Sequence, residues 1–252
     1  MSTHYLRTSD IAKAVGVHPN TVRLYEEWGL LPPIPRTPSG YRQFTEAHLD
    51  QMRLARLAFA DPWHGRRIRK SIVAVVKQSA LADVAGARDM AEAHLALVRA
   101  ERAQAKAAAD FLERWAVNKA VEPMLTPLQI GAAARLLNVT PDMLRNWERN
   151  SLITVPRDPN NGYRRYGAAE IGRLRVIRLL RGAGYSTMAI LRMMLHFDQG
   201  RRDGLRQALD TPRPDEDIIF AADRWLSTLA ETEKQALDII AQLNEMLQKN
   251  YQ

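Results

Sequence analysis

The chain has 252 residues, 46% hydrophobic and 25% charged, with a net charge of +8 and no cysteine. That composition predicts a soluble protein of two or more small domains in a reducing, cytoplasmic setting, and it excludes disulfides, thiolate chemistry and any Cys-based metal sensor. The opening Met-Ser-Thr-His-Tyr-Leu-Arg carries no apolar h-region and no later run reaches the length of a membrane span, so a membrane is not an expected partner.

The charge is segregated. Residues 1–80 hold 12 Lys and Arg against 6 Asp and Glu, and residues 124–204 hold 13 against 6. Residues 81–123 hold 6 against 7, and residues 205–252 hold 5 against 9. Two basic segments each followed by a slightly acidic one point to phosphate binding rather than a uniformly solvated basic surface.

In chain order, Thr8 or Ser9 is placed to cap a helix over 9–15, with Ile11, Ala12 and Val15 on one apolar face and Gly16 ending it. His18 precedes Pro19, which opens a second helix running to about Trp28 and stopping at Gly29. Two short helices joined by a Gly-containing turn form a helix-turn-helix. Val22 and Tyr25 or Glu26 should face inward, whereas Asn20, Thr21, Arg23 and Leu24, with His18, lie at the exposed end that enters a major groove.

Prolines at 32, 33, 35 and 38 argue against a helix, and Ser39-Gly40 marks a turn between two extended arms. The expected β-hairpin wing offers Arg36, Tyr41 and Arg42 to phosphates. Thr45 caps a helix to about Ala60, broken at Asp61-Pro62, and a further helix over 65–78 opens with Arg66 and Arg67 as a second basic edge. An Ala-rich helical pattern over 84–118 then presents Val84, Ala91, Leu95, Val98, Ala105, Leu112 and Trp115 as a seam, about 50 Å long at 1.5 Å per residue.

From residue 126 the pattern starts again. Thr126-Pro127-Leu128-Gln129 forms a capping-box arrangement for a helix over about 127–137. Thr140-Pro141 opens a second recognition helix ending near Asn150-Ser151, with Asp142, Met143, Arg145, Asn146 and Trp147 on it. Arg157, Asn161, Tyr163, Arg164 and Arg165 belong to a second wing with its tip at Asn160-Asn161-Gly162. A shift of 122 positions lays Pro19–Leu31 on Pro141–Ile153, Gly40-Tyr41-Arg42 on Gly162-Tyr163-Arg164, and Arg53, Arg56 and Leu57 on Arg175, Arg178 and Leu179 without a gap. That register is an internal duplication. Helices over 168–182 and 187–197, the latter opened by Ser186, complete the second copy. A heptad pattern over 218–249 follows, with Ala222, Trp225, Leu229, Thr232, Ala236, Ile239, Leu243 and Met246.

The ordered set Ile11-Ala12, Gly16-Val17, Thr21-Val22-Arg23-Leu24-Tyr25-Glu26, Gly29-Leu30-Leu31 and Gly40-Tyr41-Arg42-Gln43-Phe44 resembles the mercury-resistance regulator (MerR) family of winged-helix transcription factors. The resemblance covers most of 5–78 and 127–200 and is weaker in the second copy. It implies DNA contacts by Arg23, Tyr25, Tyr41 and Arg42, with Tyr25 as a core aromatic the alternative. The expected fold class is mainly α: two winged helix-turn-helix domains (1–80 and 123–204), each followed by a long helix (81–122 and 205–252), the helices pairing as an antiparallel coiled coil. The chain would then be a monomeric pseudo-dimer with two DNA-reading heads.

Arg bonds a guanine edge bidentately while phosphate contacts fix register, so sequence-specific duplex DNA binding is the expected function. The resemblance further implies promoter DNA and RNA polymerase as partners and distortion of the DNA between polymerase elements, with architectural or excisionase-like accessory binding as the alternative. The aromatics Trp63, Phe111, Trp115, Phe220 and Trp225 serve either a small-molecule effector site or the core. Scattered histidines, no metal-ligand spacing and no phosphate loop give no expectation of catalysis, metal or cofactor.

Overall fold

A computed structural model describes residues 5–60, 65–118, 126–212 and 224–249. It is mainly helical, and among the described residues extended backbone occurs only as isolated antiparallel bridges. The helices are α1 (Thr8–Ala14), α2 (Pro19–Glu27), α3 (Glu46–Ala58), α4 (Arg66–Ala80), α5 (Val84–Asn118), α6 (Ile130–Leu137), α7 (Pro141–Arg149), α8 (Ala168–Gly182), α9 (Thr187–Asp198), α10 (Leu205–Asp210) and α11 (Trp225–Gln248). Among the described residues no helix is long and apolar enough to cross a membrane.

Two compact units divide the chain: Met1–Ala100 with Ala230–Gln252, and Glu101–Leu229. In the first unit, Ile11, Val22, Phe44, Met52, Leu54, Ile72 and Val75 form the centre of the winged-helix body. The same cluster takes in Ala87, Ala91 and Leu95 of α5 and Ala236, Ile239, Leu243 and Met246 of α11. Each fully buried large aliphatic side chain contributes about 1.5–3 kcal/mol, so the second half of α11 is part of this core rather than an appendage. Polar contacts agree. Gln235 donates to the Leu57 carbonyl at 2.6 Å, and Lys249 pairs with the buried Asp50 carboxylate at 2.7 Å. Arg88 meets Asn244 and Arg99 meets Glu233, pairs whose residue numbers share one sum, so α5 and α11 run in opposite directions through this unit.

In the second unit the partner of the winged-helix body is the other long helix. The Tyr185 hydroxyl donates to the Ala105 carbonyl at 3.1 Å, and Gln104 donates to the Gly182 carbonyl at 3.3 Å. Burial pushes the Tyr185 pKa well above its ordinary value, and Asp210 adds to this, which keeps the hydroxyl a donor. The Trp225 indole donates to the Ala183 carbonyl, and Asp210 accepts from the Leu226 and Ser227 amides at the start of α11. Every described residue of the α11 seam is buried. Ala222 lies outside the described residues, as do Asp61-Pro62, Trp63 and Phe220.

Local physics shifts several expected boundaries. α1 begins at Thr8, because the Asp10 carboxylate accepts the Arg7 amide at 2.8 Å and makes Arg7 the capping position in place of Thr8 or Ser9. α6 begins at Ile130 rather than near 127, because Leu128 exchanges both backbone hydrogen bonds with Tyr166 at 2.9 Å. Those bonds hold Leu128 extended, as the bridge of Leu6 with Phe44 does in the first copy. The duplication also carries a compensated gap in the wing. The bridge pairs Arg36 with Arg42 in the first wing but Arg157 with Arg164 in the second. One arm is a residue shorter and the tip a residue longer, so the overall shift is restored. The short helix α10 carries no signal in the periodicity.

Helix ends match the expected chemistry at Gly16, Gly29, Thr140 and Ser186. Gly29 takes φ +67°, whereas Ser151, its counterpart, takes φ +59° without being glycine. A Cβ at Gly29 would meet nothing within 4 Å, so the cost of a side chain there is conformational alone. Gly29→Ala should therefore lower stability by about 1 kcal/mol and Ser151→Gly should raise it by about 0.5 kcal/mol in urea unfolding.

Candidate nucleic-acid interface

The recognition helix of the first unit is α2. His18 Nδ1 accepts the Asn20 amide at 3.2 Å and Pro19 occupies the first turn, so the helix starts sharply with its N-terminal residues outward. Val22 and Tyr25 are buried, and Tyr25 lies against Trp28 and Phe59. The opposite face exposes Asn20, Arg23 and Leu24, with Thr21 half-buried. Arg23 donates to Asn20 Oδ1 at 3.0 Å, which extends the guanidinium along this face.

In α7 the Thr140 hydroxyl accepts the Met143 amide at 3.2 Å, with Pro141 again in the first turn. Leu144 and Trp147 are buried, and Asp142, Met143, Arg145 and Asn146 are exposed. Arg145 pairs with Asp142 at 2.6 Å, where the first copy has the neutral Asn20. The two faces thus share one backbone frame and differ in charge.

Each wing is tied to its recognition helix by a carboxylate. Glu26 accepts Arg42 Nε at 2.6 Å and Arg36 at 3.4 Å. Glu148 accepts Arg164 Nε at 2.6 Å and Arg157 at 3.3 Å. The same clamp, built twice to nearly the same distances despite the compensated gap, sets how the wing stands beside the helix. It also means that Arg42 and Arg164, both half-buried, are positioned by glutamate rather than standing free. Arg36 and Arg157 stay about half exposed, and Tyr41 and Tyr163 project at the tips with 74% and 64% exposure. Arg165 pairs with Asp158 at 3.4 Å, and Asn161 Oδ1 accepts the Tyr163 amide, which closes the longer tip.

Residues 7–44 match the family described as MerR family regulatory protein, and residues 128–196 match the MerR HTH family regulatory protein. The chain belongs to the MerR family. It carries two MerR-type domains in one polypeptide. It is 42% identical over 53 residues to the HTH-type transcriptional regulator CueR of Escherichia coli O6:H1 and, over the same length, to that of Salmonella typhi. It is 40% identical over 47 residues to the HTH-type transcriptional regulator ZntR homolog of Haemophilus influenzae. These matches take in 19–21% of this chain and 35–39% of the relatives, so the chain spans well under half the length of the curated relatives it matches. No solved structure matches it significantly.

On these MerR-type heads the structure sorts the expected contact residues into three groups. His18, Asn20, Arg23, Leu24, Arg36 and Tyr41 are exposed on the helix or wing of the first, with Thr21 half-buried beside them. Thr140, Asp142, Met143, Arg145, Asn146, Arg157, Asn161, Tyr163 and Arg165 are exposed on those of the second. Arg42 and Arg164 are half-buried in the clamps, and Arg66 and Arg67 are exposed in the first turn of α4. Of the two readings open for Tyr25 its burial favours the core one, and Trp147 is corrected to a core position with it, 6% and 5% exposed, because both sit on the inward stripe beside Val22 and Leu144.

Glu26 and Glu148 are the clamp residues that composition hides, since an acid inside a basic head looks like dilution. Their signal is positional: both acids recur at the same shift as Arg42 and Arg164. Removing the clamp charge by Glu26→Gln should cost no more than about 1 kcal/mol, since the pair is partly exposed. The Arg42 Nε–H resonance should move to the exchange-broadened position of a free arginine, while the Arg164 resonance stays unchanged.

Proposed function

We propose that this MerR-family protein is a sequence-specific, double-stranded DNA-binding transcriptional regulator whose two heads act from one chain, as an intramolecular pseudo-dimer on a promoter. The observation that carries the proposal is the repeated construction of the head. Twice, an outward recognition-helix face carrying arginine stands beside a wing held by a Glu–Arg clamp. A basic helix face supplies base-edge donors and a wing supplies backbone contacts, the division of labour that specific duplex binding needs. The names of the matched regulators support the same class.

Opposed runs of α5 and α11 support an antiparallel coiled coil made within one polypeptide. Two heads in one chain would bind both half-sites without a second copy, and distorting the DNA between polymerase elements would be the regulatory step. Such deformation costs a few kcal/mol and is offset only when both halves are bound together. RNA polymerase belongs to this proposal as the partner that reads the distorted promoter, and a small-molecule effector as the signal.

Asn20 and Asp142 make the heads unequal. Arg23 keeps its full charge for a guanine edge beside the neutral Asn20 amide, whereas Arg145 is partly neutralised by Asp142. The operator should accordingly be asymmetric. In mobility-shift titrations on a sequence selected from random DNA, Arg23→Ala should weaken binding about tenfold and relax preference at one or two bases. Tyr25→Phe, a core change, should leave binding within about twofold. Unchanged affinity for Arg23→Ala would remove the recognition helix from the proposal, and uniform footprinting without a preferred site would indicate architectural binding. Light scattering of the free protein should give the mass of one chain.

A further inference from the structure

The second unit holds a cavity of about 690 Å³ that none of the head geometry uses. Its size falls within the span of about 300–1,000 Å³ typical of small-molecule sites. Trp115 of α5 and Phe197 of α9 form one wall, their ring centroids 4.8 Å apart, and Ile153 and Leu195 continue the apolar lining.

The duplication explains why the space exists here. Asp50 of α3, buried and paired with Arg53 and Lys249, corresponds to Gly172 of α8 in the second copy. A Cβ on Gly172 would lie 3.6 Å from the Trp115 indole nitrogen, so the indole faces the room that the missing side chain leaves. Two further exchanges convert a neutral hub into a charged rim. Gln51, bonded to the Leu30 and Val76 carbonyls, becomes Arg173, and Val76 becomes Asp198. Arg173 keeps the bond to the Leu152 carbonyl and forks onto the Asp198 carboxylate at 2.5 and 2.9 Å.

Charge settles the ligand class. Arg173 and Asp198 neutralise each other. Glu170 accepts the Gly167 amide at 2.9 Å in the first turn of α8, where the helix dipole offsets its charge. With Arg173 and Asp198 closed on each other and Glu170 held by a backbone amide, a charged ligand would lose hydration for little counter-charge. We propose that this cavity binds a neutral, flat, largely apolar molecule of two to four rings, stacked by Trp115 and Phe197 and oriented through the Trp115 indole N–H.

The full-length chain should be titrated with N-phenyl-1-naphthylamine, a neutral flat dye whose emission rises in apolar surroundings, and separately with the cationic ring system ethidium. Saturable uptake of one dye per chain is expected, with ethidium at least tenfold weaker. Gly172→Leu, which extends a side chain into the cavity from a helical position, should weaken dye binding at least tenfold. Leu195→Glu, at a 41% exposed lip where folding is safe, should do the same, while Arg23→Ala leaves it unchanged. No dye uptake, unaltered affinity in Leu195→Glu, or tighter binding of ethidium would overturn the proposal.

Discussion

The constraint on which the molecule depends is the apolar stripe carried by each long helix. Neither α5 nor α11 is stable in water with Leu95, Leu112, Leu229 or Leu243 exposed, so each must be covered by something bulky. In both units the cover is a winged-helix body. The body of the first repeat takes the second half of α11, and the body of the second repeat takes the second half of α5. Each body is thus completed by the long helix that follows the other repeat.

Upon that base, a small set of polar contacts adjusts what each head presents. The clamp by Glu26 or Glu148 is weak as a stabiliser, because both partners remain partly in water. Its value is geometric, since it fixes each wing against the recognition helix and leaves Tyr41 or Tyr163 projecting. The exposed faces then diverge by single residues, Asn20 against Asp142 and Thr21 against Met143. Inside the bodies divergence went further: a neutral glutamine hub in one became an arginine–aspartate pair in the other, and an aspartate became a glycine beside a tryptophan. Duplication followed by such exchanges leaves the second body with an interior space.

Much of this is legible in the sequence. The left-handed stops at Gly16 and Gly29, the proline starts at Pro19 and Pro141, and the seam from Trp225 to Met246 all follow from local chemistry and periodicity. Where the reading slipped, a partner distant in sequence was responsible. Leu128 could have continued a helix by its own propensity, but Tyr166 claims its backbone as an extended bridge. Tyr25 was open to either a contact or a core role, and its packing beside Val22 and against Phe59 decides for the core. The compensated gap in the second wing is invisible to a constant shift of 122, because what it conserves is the bridge and the clamp rather than the spacing.

By itself the sequence determined the duplication, the basic heads, the helix limits set by glycine, proline and hydroxyl caps, and the two apolar stripes, since each depends on neighbours within a turn or two. Tertiary structure alone decided which body covers which stripe, which arginines are held by glutamate, and where a missing side chain leaves a cavity. Those outcomes depend on side chains brought together across scores of residues, and a local pattern holds no record of such meetings.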